Sequence, residues 1–143
     1  VGIAVALSSG GAEPSAASSP SASPTAAAAA VSAQQIECVN IRRAYQAWDT
    51  ATRPRTVVDF AELTEAQLGW LMEDADEFAR EVRGYDSQAS KALSVAVAEY
   101  NYQLSLANTM VVLGGGMSYE QAQALEDAAA AVTRDYTAWE RLT

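Results

Sequence analysis

The chain has 143 residues, with nine Lys and Arg against eighteen Asp and Glu and no histidine, for a formal net charge of −9. That acid excess excludes nucleic acid as a partner, because phosphates demand clustered cations, and it disfavours anionic lipid head groups. The missing histidine removes the commonest general base and metal ligand together, and one cysteine, Cys38, forbids an intrachain disulfide.

Residues 1–12 open on the uncharged apolar run Val1 to Leu7 and end on small residues. This is the pattern of the distal part of a secretory signal peptide, with Gly10-Gly11-Ala12 as the cleavage site or Ala6-Leu7-Ser8 as the alternative. Seven apolar residues are too few for a bilayer, which needs ~20. Residues 13–33 follow as a low-complexity stem of Ala, Ser, Pro and Thr, with Pro14, Pro20 and Pro24 blocking helix and nothing to bury. Ala26 to Ala30 are the exception, strong helix formers able to extend the first helix backwards. Glu13 is the single charge in residues 1–33, so the acid excess belongs to residues 34–143. That length suits one hydrophobic core.

From Gln34 the apolar residues recur at helical spacing. A first helix carries Cys38, Ile41, Tyr45 and Trp48 on one side and ends at Arg53-Pro54-Arg55. The link from 53 to 63 holds Val57, Val58 and Phe60 and is expected to pack down as a short helical turn. A second helix begins at the capping box Thr64-Glu65-Ala66-Gln67. It runs along Leu68, Leu71, Ala75, Phe78 and Val82, and stops at Gly84 as at a C′ glycine.

A third helix, capped by Asp86 or Ser87, reaches about Val112. Ala89, Ala92, Ala96, Tyr100 and Ala107 mark one stripe. Leu93, Val95, Tyr102, Leu104 and Leu106 widen it, as for a helix touched by two neighbours. Gly114-Gly115-Gly116 breaks it. A second capping box, Ser118-Tyr119-Glu120-Gln121, starts a fourth helix along Ala122, Leu125, Ala129, Val132, Tyr136 and Trp139. Short links between helices of similar length predict an all-α, antiparallel up-down-up-down four-helix bundle over residues 34–143, preceded by a disordered Ala/Ser/Pro-rich stem.

Few residues offer chemistry. Glu73-Asp74-Ala75-Asp76-Glu77, with Arg80 and Arg83, reads as a solvated, salt-bridged helix face. It lacks the Glu-x-x-His of a di-iron bundle and the central glycine of a calcium loop. The triple glycine precedes Met117 rather than the Lys-Ser/Thr of a phosphate loop. Asn101, Gln103 and Asn108 are expected on the exposed side of the third helix. Cys38 is either a buried free thiol or half of a disulfide to another chain or to a cysteine beyond Thr143. Trp70 lies off its helix seam, where it either covers the 53–63 link or serves as an exposed recognition aromatic. With Phe60 it is the candidate contact for a partner.

The order of signal-like start, Ala/Ser/Pro/Thr stem and short acidic helical domain resembles that of small exported proteins of actinobacteria. The likeness spans the chain but rests on layout, without a diagnostic motif. It implies a secreted or cell-envelope protein. Gln35-Ile36-Glu37-Cys38 places an acid where a lipobox needs a small residue, so a lipid anchor at Cys38 is not expected. No catalytic, cofactor or metal set emerges, which points to a non-enzymatic helical interaction module with a protein partner, including a dimer disulfide-linked through Cys38. The alternative is a carrier holding a small apolar ligand inside the bundle, motivated by the broad apolar surface of the third helix.

Overall fold

The computed structural model describes residues 26–52 and 56–143, and every described element is helical. The signal-like segment 1–12, the stem from 13 to 25 and the Arg53-Pro54-Arg55 break lie outside the described residues. The elements are α1 (Ala26–Thr52), α2 (Val57–Ala61), α3 (Glu65–Arg83), α4 (Gln88–Val112) and α5 (Tyr119–Leu142). Glu37–Thr143 form one compact unit. None of the described helices is long and apolar enough to cross a membrane.

Helix starts follow local chemistry. Thr64 Oγ1 accepts from the Gln67 amide at 3.2 Å while Gln67 Oε1 accepts from the Thr64 amide at 2.9 Å, which satisfies two orphan donors at the start of α3. The same reciprocal box forms at α2 between Thr56 and Asp59. Ser87 caps α4 through the Ser90 amide and Ser118 caps α5 through the Gln121 amide. Glu65 in the first turn of α3, and Arg80 and Arg83 in its last, match the helix dipole.

Two boundaries differ from the sequence expectation. α1 begins at Ala26, so residues 26–33 are helix rather than stem, consistent with the high propensity of the alanine run. Gly84 caps α3 with φ −69°, a right-handed conformation, so α3 does not end through a left-handed glycine. Among the described residues the left-handed glycines are Gly114 and Gly116, at φ 86° and 69°, in the turn from α4 to α5.

The bundle is antiparallel and up-down-up-down. Along α1, Arg42 reaches Glu140 and Tyr45 reaches Thr133 of α5, so residue numbers rise on one helix as they fall on the other. Tyr45 meets Phe78 of α3, and Asn40 meets Tyr85 just beyond the end of α3, in the same sense. α4 lies against both α3 and α5, and α2 packs on α5.

Side-chain periodicity explains the core. Ile41, Tyr45 and Trp48 of α1 are buried with Leu68, Leu71, Ala75, Phe78 and Val82 of α3 and with Ala122, Leu125, Val132, Tyr136 and Trp139 of α5. Rings dominate its centre. Tyr45 stacks on Tyr136 with centroids 3.6 Å apart, and Trp48 meets Tyr100 edge-on at 5.4 Å across the bundle. Such pairs contribute about 0.5–1.5 kcal/mol each beyond area burial. Phe60 is fully buried and plugs α2 onto this core, so it does not serve as a surface contact.

Candidate functional site

The largest departure from the expected packing is on α4. Leu93, Ala96, Val97, Tyr100, Leu104 and Ala107 face inward and are buried. Val95, Tyr102 and Leu106, expected to widen that seam, instead lie on the solvent side, at 71%, 57% and 36% exposure. Val112 and Leu113 extend the exposed set. These positions, with exposed Ala98, Ser105 and Thr109, repeat at intervals of three and four. α4 therefore carries two seams, one in the core and one outside, each with coiled-coil spacing.

Charge isolates the outer seam further. Lys91 and Glu99 are the charged residues of α4, and no charge occurs from Tyr100 to Tyr119. A largely apolar helix face that carries a single acid, Glu99, on an otherwise acidic domain is the kind of patch that marks an interaction surface. The breadth of α4's apolar surface thus opens outward. The interior of the bundle is occupied by the Tyr45, Trp48, Phe78, Tyr100, Tyr136 and Trp139 rings.

Trp70 is 65% exposed on α3, as an exposed aromatic rather than a side chain packed over the 53–63 link. Cys38 is half-buried against the core as a free thiol.

A second feature is an open groove of about 550 Å³ between α1 and α3, lined by Asn40, Arg43, Asp74, Glu77, Arg80 and Tyr85 among others. Arg43 Nη2 donates to Asn40 Oδ1 at 2.9 Å, and Asn40 Nδ2 donates to the Tyr85 hydroxyl at 2.8 Å. Burial raises the Tyr85 pKa above its ordinary value, partly offset by the Asn40 donor. Partial burial, then the nearby carboxylates of Glu77 and Glu73, raises that of Asp74. The groove's lining sets Arg43 and Arg80 against Asp74, Glu77 and Glu81, a small excess of acid. No cluster of three metal-ligating side chains occurs among the described residues.

Polar latches tie the helices at residues whose role spacing does not reveal. Glu37 Oε1 accepts from Ser87 Oγ at 3.0 Å and from Trp139 Nε1 at 3.3 Å, joining α1 to the start of α4 and the end of α5. Asn101 Nδ2 donates to the Ala75 carbonyl and to Asp76 Oδ1 on α3. Gln121 Nε2 donates to the Gln103 carbonyl and side chain at 3.0 and 2.9 Å. Gln121 is thereby drawn towards α4, and Ser118 caps α5 without the full reciprocal box. Asn101 and Gln103 are half-buried seam residues rather than fully exposed ones.

Comparison with protein-family models, with curated proteins and with solved structures finds no match.

Proposed function

We propose that this chain is a non-enzymatic helical interaction module, exported and presented on its low-complexity leader, with the outer seam of α4 as its contact surface. The observation that carries the reading is the apolar face Val95–Tyr102–Leu106–Leu113, with Glu99 its single acid, on a domain that is otherwise strongly acidic. A heptad-spaced stripe favours another helix as the occupant, because ridges of three- and four-residue spacing interlock with the same pattern. The export half of the proposal is supported by the signal-like residues 1–12 and the Ala/Ser/Pro/Thr composition that follows. In this reading Trp70 is a separate exposed aromatic and Cys38 contributes to packing rather than to an intermolecular disulfide.

Photo-crosslinking from Tyr102, replaced by a photoreactive analogue, tests the contact surface. A discrete crosslinked species from Tyr102, and none from the same probe at Glu120, is the expected result. Equal, diffuse labelling from both positions overturns the assignment of α4.

A further inference from the structure

The outer α4 seam has a pattern that fits itself. We propose that its occupant is a second copy of this chain, with the two α4 helices antiparallel about a two-fold axis near Leu104. This rests on the reading of α4 as the contact surface and names its partner.

Three observations favour this pairing. First, the register is self-complementary. An axis at position 104 sets Val95 against Leu113 of the second copy and Tyr102 against its Leu106, so these four large exposed apolar side chains meet in pairs, with Val112 outside the pairing. Ser105 and Thr109 flank Leu106 on the exposed face and leave room for the facing tyrosine ring.

Second, charge selects the orientation. Glu99 is the only acid on the seam. In the antiparallel register it faces Thr109 of the other copy, and the two Glu99 positions are separated by about 15 Å along the axis at ~1.5 Å rise per residue. That exceeds the ~8 Å Debye length at physiological salt. A parallel pair would set one Glu99 directly beside the other.

Third, two copies each bearing a net charge of −9 repel over most of their surfaces. The uncharged run from Tyr100 to Tyr119 is where that repulsion is least. A single-helix stripe is smaller than the ~800 Å² per partner of a standard interface. The dimer is accordingly a weak one, at a Kd of roughly 10–100 µM for so small a contact.

Sedimentation equilibrium of the full chain, run in reductant, tests the proposal. The wild type should show a reversible monomer–dimer equilibrium in that range. Tyr102→Glu and Leu106→Lys, both surface changes, should each be monomeric while keeping the parent's circular dichroism and melting curve. Mixing these two variants should restore a heterodimer, because antiparallel pairing brings the introduced carboxylate of one chain against the introduced ammonium of the other. Trp70→Ala, off the seam, should dimerise like the parent. A wild type that stays monomeric at millimolar concentration, or a mixture that fails to rescue, overturns the second-copy proposal. A dimer that forms only without reductant does so too, since it assigns association to Cys38. If the wild type is monomeric yet crosslinks discretely from Tyr102 to a different protein, α4 remains the contact surface and only the partner changes. If neither occurs, both fail.

Discussion

Truncating Glu37 to alanine is expected to weaken the bundle by about 2 kcal/mol, through the indole it leaves behind. Trp139 is 1% exposed, and its Nε1–H is directed at Glu37 Oε1. Without that acceptor the donor stays buried, and water can reach it only if the ends of α1 and α5 part. An unsatisfied buried donor costs about 1–3 kcal/mol. The other donor to Glu37, the Ser87 hydroxyl, is also 2.9 Å from Ser90 Oγ, so its loss adds little. Glu37→Gln keeps a side-chain carbonyl in reach of the indole, and should lose less than about 1 kcal/mol. For a domain of ~100 residues, 1 kcal/mol corresponds to about 4–8 °C in Tm, so the alanine variant should melt about 8–16 °C lower. Urea unfolding followed by both far-ultraviolet circular dichroism and tryptophan fluorescence measures the difference. A loss below about 0.5 kcal/mol for Glu37→Ala, the range of ordinary surface changes, would falsify the argument. So would a glutamine variant as unstable as the alanine one.

Other perturbations follow from the same geometry. Among the described residues the buried Thr52 hydroxyl has no hydrogen-bond partner, so the isosteric Thr52→Val is expected to be neutral or stabilising by up to about 1 kcal/mol in urea unfolding, whereas a comparable loss would show that the hydroxyl is satisfied. Gly116 has φ +69°, and Gly116→Ala should cost about 1–2 kcal/mol although a Cβ there meets nothing within 4 Å. A melt unchanged by that substitution would contradict the left-handed turn. The Asp74 pKa is raised, first by burial and then by Glu77 and Glu73, so the folded protein holds this proton more tightly than the unfolded chain. Its contribution is fully present below the unfolded pKa of about 3.9 and is lost as pH rises through the folded value. Asp74→Asn should therefore raise Tm at pH 7, with the gain closing as the wild-type carboxyl protonates. A gain that persists unchanged at pH 3 would point to another cause.

The four long helices were legible from sequence because the information is local. Leu68, Leu71, Ala75, Phe78 and Val82 repeat at the helical period, and Thr64 finds its capping partner three residues away. Both features survive translation into structure because they depend on backbone geometry alone. The two readings of Trp70 were separated only by its exposure, since one residue off a seam carries no period of its own. Phe60 was ambiguous for a related reason. A five-residue helix is too short to show a face, and its burial is fixed by where α2 lands on α5.

Sequence alone determined that amphipathic helices would form and hide most of their apolar stripes, because periodicity and capping act within a few residues. Only the tertiary structure decided which apolar stripe of α4 turned inward. Both stripes have helical spacing, and burial goes to the one carrying Leu93, Val97, Tyr100 and Leu104, which α3 and α5 can enclose together. The polar latches through Glu37, Asn101 and Gln121 belong to the same class. They join residues far apart in the chain, and such pairings exist only once packing has brought the helices side by side.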